Sequence, residues 1–157
     1  DTRSRFMIQP VPVPVICENR RRSARREDFL KKMDEILPWE KWCGLLKDHY
    51  PDGKKGRKPH PLVHMLKMYL IRLWFGLSDT AAEEAIYDSY AMKSFLNLDF
   101  SSNEQVPDAT TLCKFRGLLK KTGVDKIIDE DIKEASAAAS VRIKPGRITE
   151  ASAIKVR

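Results

Sequence analysis

Residues 57–90, RKPHPLVHMLKMYLIRLWFGLSDTAAEEAIYDSY, constrain the fold more than any other stretch. Leu62, Met65, Leu66, Tyr69, Leu70, Leu73 and Trp74 recur at i, i+3, i+4, i+7, i+8, i+11 and i+12, the spacing of one apolar helix face. Pro61 suits a first helical turn and Gly76 is placed to end the helix. Val63, Met68, Ile71 and Phe75 widen the stripe until only His64, Lys67 and Arg72 are left to face water. So apolar a helix needs cover on most sides, which makes it the central rod of a small helical domain. It is too short and too charged to span a bilayer. Ser78-Asp79 then offers the N-cap of a second helix running to Tyr90.

The remaining segments supply that cover. Ser23 is placed to cap a helix running to about Leu37, with Phe29, Leu30, Met33, Ile36 and Leu37 on its apolar face. Pro38 opens a short helix carrying Trp39, Trp42, Leu45 and Leu46, whose tryptophans are expected to dock on the rod rather than stack on bases. The helix from Asp79 packs through Ala82, Ala85, Ile86 and Tyr90, leaving an acidic outer face of Glu83, Glu84 and Asp88 that should avoid DNA. A short apolar helix over 91–98 and a polar loop over 99–107 follow. The last helix spans 124–139, with Asp125, Asp129, Glu130 and Asp131 read as solvated surface. The fold class is all-α, a small multi-helix domain of five to seven helices.

The chain has 157 residues, enough to bury a core without staples, and a formal net charge of +7. Excess base points to a polyanionic partner, nucleic acid before an anionic membrane surface, or simply to solvated lysines. Cys17, Cys43 and Cys113 lack metal-ligand spacing and suit a reducing cytosol better than a disulfide framework. Residues 1–22 read as a flexible basic arm: Pro10, Pro12 and Pro14 favour extended backbone, and Arg20, Arg21 and Arg22 begin a basic run. That run suits an arm on DNA phosphates, a solvated tail, or the basic start of the next helix. Lys54, Lys55, Arg57 and Lys58 make a turn-rich basic loop that is equally open between phosphate contact and mere exposure. His60 and His64 stand four apart, but no carboxylate or cysteine completes a ligand set, so no metal is assigned to them.

Asp108 is a good N-cap for a helix from Ala109 to about Lys121, which Gly123 closes. Leu112, Phe115 and Leu119 should bury. At 100° per residue, Thr110, Lys114, Gly117 and Lys121 lie opposite them, flanked by Arg116 and Lys120. No acid occurs between Ala109 and Val124, so the exposed arc is basic or small. Lysine and arginine neutralise phosphates, Thr110 and Thr111 offer hydroxyls to a base or phosphate, and glycine permits close approach. From the residues alone, a DNA-reading helix and an amphipathic helix that happens to be basic both stand.

The ordered set of motifs resembles a known family. Residues 57–62 (RKPHPL) precede the rod, residues 74–79 (WFGLSD) and 83–88 (EEAIYD) follow it, and 107–111 (PDATT) with 115–119 (FRGLL) complete the set, reaching back to Arg26 and Pro38-Trp39. Together these resemble the N-terminal region of InsH-type transposases, bacterial insertion-sequence enzymes of the DDE kind. The likeness covers most of residues 23–125. The family pattern often has His at the position of Gly117 and Glu at that of Lys120. The resemblance favours DNA contact by the basic helix, with Lys114, Arg116, Lys120 and Lys121 on phosphates, Thr110 and Thr111 near bases, and Arg20, Arg21 and Arg22 as an accessory arm. It also implies a helix-turn-helix-like arrangement, loosened by the long connection over 91–107.

In that family a stretch similar to residues 146–152 (GRITEAS) opens a ribonuclease-H-like domain whose first metal-binding Asp corresponds here to Glu150. Residues 141–157 are accordingly expected to be the start of a truncated catalytic domain, a remnant strand following the helical DNA-binding domain of 23–140. Mg²⁺-assisted strand transfer needs three carboxylates, and this chain carries neither of the other two. No catalytic residue and no cofactor are assigned to the chain itself; Mg²⁺ belongs to the full-length family. The expected function is recognition of an element's terminal inverted repeats during DNA transposition and recombination. The alternatives are a dimerisation or assembly module and a truncated repressor of transposition. Expected partners are double-stranded DNA and a second copy or an intact transposase, with neither membrane nor small-molecule substrate, at the bacterial nucleoid in the cytoplasm.

Overall fold

The structure, a computed structural model, describes residues 13–54, 56–98 and 105–141, with side chains from Arg25 onward. These residues form seven helices and no strand: α1 (Val13–Ile36), α2 (Trp39–Leu46), α3 (Leu62–Phe75), α4 (Asp79–Asp88), α5 (Tyr90–Leu96), α6 (Ala109–Thr122) and α7 (Val124–Ala138). The all-α expectation is met. The remnant strand and the proline-rich residues 1–12 lie outside the described residues.

α3 is the central rod, packed against α2, α4, α5 and α6. Met65, Leu66, Met68, Leu70, Ile71 and Trp74 are all buried along it. The apolar face of α1 closes one side, where Phe29 meets the Trp74 ring edge-on at 5.2 Å and Phe75 at 6.4 Å. Both tryptophans of α2 join the core: Trp42 is fully buried, and Trp39 packs edge-on against Trp42 and Phe95. Such edge-to-face pairs suit the ring quadrupole and each add about 0.5–1.5 kcal/mol to area burial.

Helix ends follow local chemistry. Gly76 adopts the left-handed conformation, φ 61°, at the end of α3, a region glycine enters without steric cost. The Ser78 hydroxyl then accepts the Ala81 N–H at 3.1 Å to start α4. Ser89, in an extended conformation, ends α4 two residues earlier than Tyr90 and caps α5 by accepting the Met92 N–H. Tyr90 is therefore not packed with α4 but 72% exposed.

Two other expectations change. α1 begins at Val13, so residues 13–22 are helical and not an extended arm, and Ser23 lies inside the helix. Pro14 falls in the first turn, where a missing N–H costs nothing, and the arginine- and glutamate-rich residues that follow are good helix formers. The rod's cations also do not face water as expected. Lys67 is 7% exposed, donating to the Phe95 carbonyl at 2.7 Å and pairing with Asp34 at 3.0 Å; Arg72 is turned onto Asp79. Among the described residues no helix is long and apolar enough to cross a membrane.

Candidate nucleic-acid interface

α6 is fixed at both ends. The Asp108 carboxylate accepts the Thr111 N–H at 2.7 Å, and that backbone hydrogen bond, above all, holds the acid below its usual range. Glu83 of α4 reaches across to accept the Ala109 N–H at 3.0 Å. Two carboxylates thus answer the unpaired N–H groups and the positive end of the helix dipole. Gly123, at φ 74°, ends the helix and begins α7. Glu83 was expected on a solvated acidic face. Its tertiary contact corrects that reading, since a helix N-terminus ending beside α4 is the better place for a carboxylate.

Leu112, Phe115 and Leu119 are buried as their spacing requires. Thr110, Cys113, Lys114, Gly117, Lys120 and Lys121 share the exposed face, and Thr111 sits half-buried on its flank. Arg116 has another occupation. Its Nε and Nη2 donate to the two carboxylate oxygens of Asp79 at 2.9 and 2.6 Å, while the Arg72 Nε donates to the same Oδ1 at 2.8 Å. Hydrogen bonding from Arg116 leads the effects that depress the Asp79 pKa, with both guanidinium charges adding to it. This bridge ties α6 to α3 and α4. In this structure Arg116 makes a structural contact, because the forked guanidinium matches a carboxylate poised on its own side of the helix.

A cleft of about 540 Å³ opens beside α6. Met65, Phe115 and Leu118 supply apolar floor, the part-exposed Tyr87 of α4 lines it, and so do Lys114 of α6 and Arg57 and Lys58 of the loop before α3. The structure therefore gathers one face of α6 with the basic loop that precedes α3. Nothing in the local sequence of either segment signals this, since the juxtaposition depends on how α3 and α6 pack. His60 also lines the cleft; burial, then the neighbouring Arg57, push its pKa below the ordinary value. Tyr50 anchors the loop by donating its hydroxyl proton to the His60 carbonyl.

Arg20, Arg21 and Arg22 belong to α1, and their side chains lie outside the described residues, as does Glu150. Among the described residues no three His, Cys, Asp or Glu side chains gather to hold a metal ion. Asp131 departs from the solvated reading of the α7 acids. It accepts the Trp42 indole N–H at 2.8 Å and the Lys41 ammonium at 2.9 Å. Burial would raise its pKa, and these two hydrogen bonds together with the Lys41 charge lower it on balance. A buried indole N–H needs an acceptor, and Asp131 is the one α7 supplies.

Residues 18–118 match the family described as Transposase domain (DUF772), from within α1 to within α6. No solved structure matches the chain. With that match covering well over half of its residues, the chain belongs to the DUF772 transposase domain family.

Proposed function

We propose that this domain binds DNA for its transposase, recognising terminal inverted repeats through the exposed face of α6. The observation that carries the reading is the separation of charge on that helix. The acids at its N-terminus, the capping Asp108 and Glu83 of α4, are spent on backbone N–H groups, whereas Lys114, Lys120 and Lys121 stay exposed along the side and C-terminal end. Fourteen residues make a rod about 21 Å long, a fit to the major groove of B-DNA. With two carboxylates at its N-terminus, α6 is better suited to meet DNA along its flank than end-on.

In this reading Lys114, Lys120 and Lys121 neutralise phosphates, and Thr110 presents a hydroxyl to a base edge or phosphate. α4 packs on α6 with α5 within the connection, a loosened helix-turn-helix-like pairing in which α6 is the recognition helix. Arg116 serves that helix by holding it to Asp79 rather than by touching DNA.

Fluorescence anisotropy tests this with a terminal-repeat duplex and a scrambled duplex across a salt series. Binding should prefer the repeat and weaken steeply with salt. Replacing Lys114, Lys120 and Lys121 together by alanine should reduce the log–log salt slope by about three, near one for each phosphate contact. Equal, weak binding to both duplexes that ignores the triple substitution would reject α6 as the reading element. A particle of twice the monomer mass with no DNA affinity would point instead to an assembly module.

A further inference from the structure

Resting on that DNA-binding reading, we infer that the cleft beside α6 receives a single unpaired nucleotide of the bound DNA. The cleft's volume, about 540 Å³, lies within the range of about 300–1,000 Å³ typical of small-ligand sites. Met65, Phe115 and Leu118 give it an apolar floor that suits a flat aromatic group. Tyr87, 45% exposed, offers a ring on which such a group can stack.

The rim supplies the other half of the specificity. Arg57, Lys58 and Lys114 also line the cleft, and among the described residues no carboxylate stands at salt-bridge distance from them, Asp108 acting on Arg57 only through longer-range charge. The acids at the same rim, Glu83 and Asp108, already accept backbone N–H groups of α6. An apolar floor containing the Phe115 ring, under cations with no carboxylate partner at salt-bridge distance, is complementary to a base carrying phosphates. It is not complementary to a purely apolar peptide. Lys114 belongs at once to the cleft and to the exposed face of α6, so the nucleotide that enters is one adjoining the duplex that α6 holds. A paired base cannot enter, because its ring is stacked inside the helix.

Anisotropy of the full chain would compare a fully paired duplex with the same duplex carrying one unpaired 2-aminopurine, whose fluorescence falls on stacking. The unpaired site should tighten binding by about 5- to 150-fold, the range of one base–aromatic stack, with quenching. Tyr87→Ala should abolish both gain and quenching, Tyr87→Phe should retain both, and Arg57→Ala with Lys58→Ala should diminish the gain. Tyr87 is exposed enough that its truncation leaves the fold intact, which thermal unfolding verifies. If the paired duplex binds but the unpaired base adds nothing, or if Tyr87→Ala keeps the quenching, the cleft assignment is overturned while DNA binding stands. If neither duplex binds, both fall. A free deoxynucleoside monophosphate that binds in the absence of any duplex affinity would overturn the DNA source.

Discussion

α3 and α6 are both fourteen-residue amphipathic helices with cations on the faces expected to meet water, yet the two treat those cations differently. In α3, Lys67 lies against the Phe95 carbonyl and Asp34, with the rings of Trp39 and Phe95 about it, and Arg72 is fixed to Asp79. In α6 only Arg116 is drawn inward, to the same Asp79, while Lys114, Lys120 and Lys121 remain exposed. The difference lies in what the neighbouring helices bring. α1 and α4 place carboxylates beside α3 and one flank of α6, and among the described residues none pairs with the lysines on the outer face of α6. A positive charge in the sequence stays open to a partner only where the fold leaves it unpaired.

The sharpest way to break this contrast is to remove the shared acid. Asp79→Ala strips the partner from Arg72 and Arg116, whose side chains are 27% and 24% exposed. A fully buried pair broken on one side costs about 3–5 kcal/mol; partial exposure of the guanidinium groups reduces that, and a loss of about 2–3 kcal/mol is expected. Urea unfolding measures it. Lys121→Ala, on the other face of α6, should stay within about 0.5 kcal/mol of the parent. A loss below that same level for Asp79→Ala would mean that the bridge does not hold α6 in place.

The contrast in charge partnership should also appear as acid sensitivity. Asp79 and Asp131 both have folded pKa values below the ordinary 3.8. For a carboxylate with a depressed folded pKa, the stabilisation is fully present above the unfolded value. It is lost as pH falls through the folded value, because the unfolded chain then takes up protons more readily. Unfolding midpoints should therefore decline below about pH 4. Asp79→Asn should give a flatter decline than the parent, starting from a lower plateau. An unchanged slope in that variant would remove Asp79 from the acid response.

Much of this architecture is legible because it is written at short range. The rod over 62–75, the serine and aspartate caps at 78 and 108, and the closing glycines at 76 and 123 each depend on neighbours within a turn or two, and all stand as read. The misreadings share a different character. Lys67 and Glu83 point outward on a helix wheel, Arg116 flanks the exposed arc of α6, and Asp131 belongs to a run of acids that reads as solvated surface. Each instead meets a group 28, 26, 37 or 89 residues away. A wheel gives the direction in which a side chain points, not what another helix sets in its path. The basic start of α1 stands among the three readings of the arginine run, left open for a local reason: three prolines weigh against the helix-forming run behind them. The cleft had no sequence signature, since it is assembled from α3, α4, α6 and a loop.

The smallest effect predicted concerns two glycines, and it sharpens the comparison by separating stability from binding. Gly117 lies mid-helix on the exposed face of α6, and a Cβ added there meets nothing within 4 Å. Gly44 in α2 is equally open and lies on a different element. Neither glycine is required by the chain's own packing. In a helix each sacrifices roughly 0.5–1 kcal/mol relative to alanine. Gly44→Ala and Gly117→Ala should thus both raise the unfolding midpoint by a similar small amount. If a DNA backbone approaches α6 where Gly117 leaves room, only Gly117→Ala should weaken duplex binding, against its own gain in stability. Gly44→Ala should leave affinity unchanged. Equal affinities for the two stabilised variants would show that the bare patch on α6 is not where DNA comes closest, and would shift the contact toward Lys120 and Lys121 at the far end of the helix.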